Sequence, residues 1–182
     1  FATVMLKVGI LGGSFDPIHY GHLLAAQSAL ATGRLDRVCF VPAHRPPHKA
    51  GRTLASPLAR LDMVRLALAG NPDFAVAADE IERGGVSYAV DTLKLWRQCH
   101  PNENPVFIMG MDSLGELHTW RAATELLALC SFLVLERPGY DNRPALEELC
   151  LPPPWPQKLL EAVVPGRHCA ISSSEIRQRV AE

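Results

Sequence analysis

The stretch from Lys7 to His22 limits most strongly what this chain can fold into. It opens with a short apolar run, Val8–Leu11, which is typical of a buried parallel strand. A glycine pair ends that run, and after the Asp16-Pro17 turn residues 21–31 are mostly strong helix formers. A strand, a tight turn and a helix in this order predict an α/β fold built on parallel strands.

The same stretch suggests a phosphate ligand. Gly12 and Gly13 let the backbone approach a ligand closely, and the N-terminus of the following helix favours a bound anion. His19 and His22 flank that terminus, where both rings could donate hydrogen bonds to phosphate oxygens. The alternative is that the two imidazoles only cap the helix or pack against it. Two histidines beside a glycine turn favour the phosphate interpretation.

Length and charge limit the possible partners. At 182 residues the chain suits one domain, residues 1–182, and its formal charge of −1 offers no electrostatic footprint for nucleic acid or an anionic membrane. Any phosphate must therefore be bound by a local cluster. No run approaches about 18 apolar residues and no signal-peptide pattern opens the chain, so we expect a cytoplasmic protein.

The five cysteines are scattered, and none of them forms a C-x-x-C pair. This argues against a zinc site, a redox pair or a disulfide framework, and we expect no metal-ligating cluster of side chains. Cys39 and Cys169 lie in expected strands, where they are most simply small core residues.

Apolar and amphipathic runs predict the remaining elements. Strands are expected at 37–41, 74–77, 105–110, 131–136 and 168–171. Helices are expected at 57–69, 87–100 and 119–130 and from 172 onward, with Ser56 and Ser87 as N-caps, Leu58 on a buried face and a polar turn at 79–85. The pattern weakens beyond 141, and we expect a helical C-terminal part over about 141–182.

Candidate ligand groups follow two of these strands. His44, Arg45, His48 and Lys49 lie between prolines at the expected carboxyl edge of the sheet, where open α/β sheets bind their ligands. A solvated basic loop is the alternative there. Asp112, after the fourth strand, could bind ribose hydroxyls, orient a metal-bound water or cap a helix.

Trp120 and the segment from Ser172 to Arg177 are the remaining candidate ligand-binding residues. Trp120 could stack on a flat aromatic ligand or belong to the core. Ser172-Ser-Ser-Glu175 is a capping box that opens a helix, and Arg177 follows one turn later. The box explains Ser172 and Glu175 but not Arg177, so this segment is a second candidate anion site. Two anion sites suit a triphosphate.

The opening motif resembles a known family. His19-Tyr-Gly-His22 matches the HxGH signature of the nucleotidyltransferase superfamily. The longer string GGSFDPIHYGH, from Gly12 to His22, resembles the opening of bacterial nicotinate-mononucleotide adenylyltransferases.

Four further segments resemble that family in its order along the chain. They are PPHK, which ends at Lys49; SYAVDTL, which begins at Ser87; Gly110 and Asp112 followed by Trp120; and ISSSEIR, from Ile171 to Arg177. The resemblance implies a Rossmann-like open parallel sheet with helices on both faces. It also implies transfer of AMP from ATP to nicotinate mononucleotide, which yields nicotinic acid adenine dinucleotide and pyrophosphate in NAD biosynthesis. By analogy with other phosphoryl transfers, we expect Mg²⁺ as cofactor.

The resemblance also implies roles for individual residues. The implied catalytic residues are His19, His22 and Arg177. The implied ATP-binding residues are Gly12, Gly13, Ser14, Phe15, His19, His22, Gly110, Asp112, Ile171, Ser172, Ser173 and Arg177. The implied residues for the acceptor nucleotide are Ser14, His44, His48, Lys49, Tyr88, Ala89, Asp91 and Trp120.

Several alternatives stay open at this point. Ala89 stands where the family commonly has threonine, and nicotinamide mononucleotide or phosphopantetheine would use the same two anion sites. A dehydrogenase would need a G-x-G-x-x-G fingerprint with an acid about 20 residues later, which this chain lacks. A non-catalytic nucleotide sensor would be expected to lose His19, His22 or Arg177. A homo-oligomer is compatible with the sequence.

Overall fold

The protein is described by a computed structural model that covers residues 5–49, 51, 54–136, 143–167 and 169–181. A six-stranded sheet forms its centre, with every neighbouring pair parallel and the order β3-β2-β1-β4-β5-β6. The strands are β1 (Leu6–Gly13), β2 (Arg37–Pro42), β3 (Phe74–Val76), β4 (Glu103–Gly110), β5 (Ser131–Leu135) and β6 (Val163–Val164).

Helices cover both faces of this sheet. They are α1 (Tyr20–Ala31), α2 (Pro57–Leu68), α3 (Asp79–Arg83), α4 (Ala89–Cys99), α5 (Met111–Glu116), α6 (Ala123–Leu129), α7 (Trp155–Glu161) and α8 (Ser173–Ala181). Short 3₁₀ helices lie at Pro47–Lys49, Leu117–Thr119 and Leu146–Leu149. None of the helices in the described ranges is long and apolar enough to cross a bilayer.

Alternation along the strands divides the core into two layers. On β2, Cys39 and Val41 pack with the α4–α7 side, whereas Val38 and Phe40 pack with α1 and α2. Strands buried on both faces read as continuous apolar runs, which is why the sequence predicted most of them. The predicted Rossmann-like open parallel sheet is confirmed.

The strand order places a possible ligand site. From β1 the chain moves outward to β2 and β3, and it then returns to place β4, β5 and β6 on the other side. The order therefore reverses between β1 and β4, and ligands of open α/β sheets bind in the crevice at the carboxyl ends of such strands.

Two expected elements are wrong. Residues 79–85 are not simply a polar turn, because Asp79–Arg83 forms α3, whose Glu80 and Ile81 are buried. The last strand is Val163–Val164, which pairs with β5, and residues 169–172 form no strand. With β6 already beside β5, the later segment instead leads into α8, while His168 and residues 141 and 142 lie outside the described part of the chain.

Smaller predictions about helices also need correction. The expected helix at 119–130 is interrupted, because Trp120 is extended and Ala122 adopts a φ of 51° before α6 begins. Ser56 caps α2 as expected, but Leu58 is 65% exposed rather than buried. Ser87 does not cap α4, since the N-cap residue is Tyr88. Cys39 is a core residue, but Cys169 lies in no strand.

Candidate active site

The turn between β1 and α1 is held by a buried aromatic ring. Phe15 adopts a φ of 47°, and its side chain is 1% exposed, with its ring centroid 5.7 Å from that of Phe40 and 5.0 Å from that of His22. A Cβ on Gly13 would lie 3.0 Å from the Phe15 ring, so this approach favours glycine. Because the Phe15 side chain lies in the core, its contribution to a ligand would come from its backbone.

The two histidines cap α1 in a reciprocal arrangement. The Nδ1 of His19 accepts the N–H of Gly21 at 3.1 Å, and the Nδ1 of His22 accepts the N–H of His19 at 3.2 Å. A ring nitrogen that accepts a hydrogen bond carries no proton, so the neutral rings hold theirs on Nε2. The ring centroids are 3.9 Å apart. Capping and phosphate donation are therefore compatible, since capping uses Nδ1 and makes Nε2–H a donor.

These rings line a cavity of about 530 Å³, which we call the histidine cavity. The other lining residues include five for which the sequence resemblance implies an ATP role: Gly110, Asp112, Ile171, Ser172 and Ser173. Its walls further include Leu11, Met109, Glu136 and Arg167. The sequence pattern gave neither Glu136 nor Arg167 a role in the site, because Glu136 was expected as the last residue of a strand and Arg167 lies in an irregular segment after β6.

The beginning of α8 docks on the turn after β1. The hydroxyl of Ser173 donates to the carbonyl of Pro17 at 2.9 Å, and Ser172 Oγ accepts the N–H of Glu175 at 3.2 Å, as the predicted cap requires. Arg177 Nη1 donates to the carbonyl of Asp16 at 2.5 Å and lies 3.8 Å from its Oδ2. Arg177 therefore joins the two ends of the chain beside the histidine cavity rather than lining it in the described structure.

A second cavity, of about 390 Å³, lies on the other side of the β1 end, and we call it the tryptophan cavity. Trp120 is half-buried in its wall, with its ring edge-on to Phe107 at 5.9 Å and 6.2 Å from His48. The other lining residues include Gly12, Gly13, Ser14, Pro46, His48, Glu80, Tyr88, Ala89, Thr92 and Arg121. Trp120 is thus both a packing residue and a possible stacking platform.

Three residues with a predicted acceptor role do not line the tryptophan cavity in the described structure. His44 Nδ1–H donates to the carbonyl of Gly85 at 3.0 Å, and the backbone N–H of His44 donates to Ser87 Oγ at 2.9 Å. Asp91 faces Arg121 at 3.5 Å. Lys49 Nζ donates to Ser14 Oγ at 2.7 Å, which places its charge next to a lining residue.

The most buried charge near the site is one that the sequence did not reveal. Arg60 is 1% exposed and donates to three carbonyls: Ser14 at 2.6 Å, His44 at 2.8 Å and Ala55 at 3.1 Å. Burial lowers the pKa of Arg60, and the carboxylate of Asp16 opposes that shift. Arginine in a helix is usually exposed, so sequence periodicity gave no signal for this role.

Glu80 is a second buried charge that periodicity missed. It is 6% exposed, lines the tryptophan cavity and accepts hydrogen bonds from the hydroxyls of Thr92 and Ser87. Burial raises the pKa of Glu80, and these hydrogen bonds together with the charge of Arg83 oppose the shift. Burial similarly raises the pKa of Cys39 and of Cys130 to about 12, which makes both thiols poor nucleophiles.

The class of protein follows from this geometry. An open parallel sheet with a glycine turn, paired imidazoles and two cavities at its switch point is typical of α/β proteins that bind nucleotides. A family model described as cytidylyltransferase-like matches residues 10–179. The chain belongs to this cytidylyltransferase-like family.

Two curated relatives show how far the similarity extends. A probable nicotinate-nucleotide adenylyltransferase from Desulfitobacterium hafniense (strain Y51) is 43% identical over 182 residues, covering 97% of this chain and 84% of the relative. A protein of the same description from Roseiflexus sp. (strain RS-1) is 44% identical over 176 residues, covering 96% and 86%.

A solved structure supports the fold. The Plasmodium falciparum nicotinic acid mononucleotide adenylyltransferase complexed with NaAD has a TM-score of 0.70 and 22% identity, over 95% of this chain and 83% of that one. At this level of identity the match speaks for the architecture of the sheet and its helices.

Proposed function

We propose that this chain transfers the adenylyl group of ATP to nicotinate mononucleotide and forms nicotinic acid adenine dinucleotide and pyrophosphate. The observation that carries the proposal is that two cavities flank the carboxyl end of β1, one lined by His19 and His22 and the other by Trp120 and Tyr88. One cavity suits the triphosphate of ATP, and the other suits the flat aromatic ring of the acceptor. The α-phosphate of ATP and the phosphate of the acceptor would then meet between the two cavities. The names of the curated relatives support the same reaction.

The reaction needs no nucleophile from the protein. An oxygen of the acceptor phosphate attacks the α-phosphorus of ATP in line, the new P–O bond forms, and the bond to pyrophosphate breaks. The chain must align two polyanions and stabilise the charge that moves to the leaving group. The Nε2–H groups of His19 and His22 supply donors for the ATP phosphates, and no general base is required because the acceptor phosphate is already ionised.

Other residues hold the outer and acceptor phosphates. Ser172 and Ser173 stand at the start of α8, whose N-terminus favours an anion. Arg177 would exchange its bond to Asp16 for a phosphate oxygen when ATP binds. Lys49, next to Ser14, and His48 supply cations and donors on the acceptor side.

The acceptor ring would lie against Trp120 and Tyr88, with its carboxylate at the N-terminus of α4. Tyr88 is the N-cap of this 11-residue helix, and its side chain makes no capping hydrogen bond within the described structure. Tyr88 and Ala89 both line the tryptophan cavity, so the helix dipole and the N–H groups of the first turn face a bound acid group. The amide acceptor lacks that charge, which favours the acid.

Mg²⁺ fits as a partner of the triphosphate. This ion keeps several waters and combines phosphate oxygens with one or two carboxylates, and Asp112 is the carboxylate that we assign to it in the histidine cavity. When bound, the ion neutralises part of the phosphate charge. Among the residues that the structure describes, no group of three or more His, Cys, Asp or Glu side chains is placed to hold a metal ion. Asp112 therefore acts with substrate oxygens rather than within a protein cage.

The test is pyrophosphate release from ATP and Mg²⁺ with three acceptors: nicotinate mononucleotide, nicotinamide mononucleotide and phosphopantetheine. We expect kcat/KM for the acid to exceed that for the amide by about tenfold or more, the equivalent of one well-made charge contact. A preference for the amide, or turnover only with phosphopantetheine, would overturn the assigned acceptor.

A further inference from the structure

Glu80 has a position in the molecule that none of the nucleotide-binding motifs explains. It belongs to the short helix α3, it is 6% exposed, and its carboxyl lies in the wall of the tryptophan cavity. Removing a carboxylate from water costs several kcal/mol unless hydrogen bonds compensate, so a buried glutamate beside a ligand cavity needs a specific reason.

The hydrogen bonds of Glu80 go to two residues of one neighbouring segment. The hydroxyl of Thr92 donates to Oε1 of Glu80, and the hydroxyl of Ser87 donates to the same carboxyl. Ser87 and Thr92 are themselves 8% and 5% exposed. They bracket Tyr88 and Ala89, the N-cap and first residue of α4, so Glu80 is bonded to the chain just before the helix and one turn inside it.

The same segment is also joined to the loop after β2. Ser87 Oγ accepts the N–H of His44 at 2.9 Å, and the N–H of Ser87 donates to the carbonyl of Arg45 at 3.0 Å. Since Ser87 accepts from His44 and donates its one hydrogen to Glu80, its hydroxyl has no hydrogen left to offer a ligand. The start of α4 is therefore held from two sides, by α3 through Glu80 and by the loop after β2 through Ser87.

This support matters because the start of α4 is an open helix terminus. The electrostatic attraction between a helix N-terminus and an anion falls off within the first turn. The strength of that attraction therefore depends on where the first N–H groups point. Glu80 sets that direction without offering a donor of its own. The hydroxyls that it engages point their hydrogens at the carboxyl, so the donors left at this end of the cavity are the backbone N–H groups of the first turn and the guanidinium of Arg121, 4.5 Å from the centroid of the Tyr88 ring.

We propose that Glu80 is a positioning residue for acceptor recognition, which directs the N-terminus of α4 at the carboxylate of the bound pyridine ring through Ser87 and Thr92. The inference rests on the proposed function and deepens it, because it assigns the choice between acid and amide acceptors to a residue that touches neither reacting phosphate. A residue that only stabilised the fold would affect both substrates alike.

The experiment is a kinetic comparison of Glu80→Ala and Glu80→Gln with the wild type. For Glu80→Ala we expect the KM for nicotinate mononucleotide to rise about tenfold, the KM for ATP to stay within about twofold, and the acid-to-amide ratio of kcat/KM to fall about tenfold. The acid-to-amide ratio of Glu80→Gln should lie between those of the wild type and Glu80→Ala, because the amide oxygen can still accept a hydrogen bond from one hydroxyl. The matched control is Glu82→Gln, an exposed residue of the same helix, which should behave as wild type.

Substitutions of Thr92 provide an independent test in which the Glu80 side chain itself is unchanged. Thr92→Val preserves the shape but removes the hydroxyl, and we expect it to reproduce the altered acid-to-amide ratio, whereas Thr92→Ser should restore it. An unchanged ratio in Thr92→Val, or equal rises in both KM values in Glu80→Ala, would overturn the proposal. Failure of the wild type to use nicotinate mononucleotide would instead reject the proposed function, so the two failures are distinguishable.

Discussion

The two cavities at the carboxyl end of β1 are built in different ways. In the histidine cavity the three capping side chains are oriented by local bonds, since His19 and His22 cap one helix and Ser172 caps another, each through a partner two or three residues away. The bond from Ser173 to the carbonyl of Pro17 is a long-range contact there, and it docks the start of α8 on the turn. In the tryptophan cavity the walls are joined by side chains from distant parts of the chain. Arg60 reaches Ser14 across 46 positions, and Ser87 accepts from His44 across 43.

This difference predicts how substitutions near the histidine cavity and near the tryptophan cavity should act. A local motif carries its own geometry, so the histidines need little support beyond the turn that presents them. The acceptor half depends on two buried charges, Arg60 and Glu80, that contact no expected substrate phosphate. Substitutions in the first half should therefore affect chemistry, and substitutions in the second should affect stability and selection of the acceptor.

The largest effect should come from His22. His22→Ala removes a donor to the reacting phosphates, and we expect kcat to fall by about 10²–10³, the range for loss of one transition-state donor. The lost cap should cost only about 1 kcal/mol, so the fold should persist by circular dichroism. His118→Ala, at an exposed histidine, is the control. Near-normal pyrophosphate release from His22→Ala would refute the assigned role.

Arg177 should give the next effect. Arg177→Ala removes the bond between α8 and Asp16 and a proposed phosphate ligand, so we expect the KM for ATP to rise about tenfold or more with little change for the acceptor. Arg179→Ala, an exposed arginine of the same helix that pairs with Glu175, should leave both constants unchanged. Equal effects of the two substitutions would argue against a specific role for Arg177.

Most strands could be predicted from the sequence because they are apolar runs buried on both faces. The two-residue β6 is too short for any periodicity to mark it, and Asp79–Arg83 looked like a turn because its sequence is so polar. For the site, the histidines and Ser172 followed local patterns. His44 looked like a ligand because it is basic and near the sheet edge, but its N–H, carbonyl and ring all join neighbouring segments.

Substitutions of Arg60 test whether the tryptophan cavity depends on long-range contacts for its stability. Arg60→Met removes a buried guanidinium and leaves three carbonyls without their donor, and we expect a loss of about 2–4 kcal/mol in the free energy of unfolding, measured with urea. Arg60→Lys should recover only part of the lost stability, because an ammonium group cannot reproduce the planar set of donors of the guanidinium. Arg65→Met, at an exposed arginine of the same helix, should change stability by less than about 0.5 kcal/mol. A wild-type unfolding curve for Arg60→Met would contradict the account.

The smallest effect concerns the cysteines. With their pKa near 12, Cys39 and Cys130 hold only about one thiolate in ten thousand at pH 8, and both should resist iodoacetamide in the folded protein. The exposed Cys99 and Cys150 should be alkylated first. Peptide mapping after brief labelling measures this order. Early labelling of Cys39 would mean that the layer beneath the tryptophan cavity opens readily.

The most direct measurement of the central claim is the identity and ratio of the products from ATP, Mg²⁺ and nicotinate mononucleotide. We expect one nicotinic acid adenine dinucleotide for each pyrophosphate, because the acceptor phosphate attacks the α-phosphorus; chromatography and mass spectrometry follow both products together. Formation of ADP, or release of pyrophosphate without the dinucleotide, would contradict it.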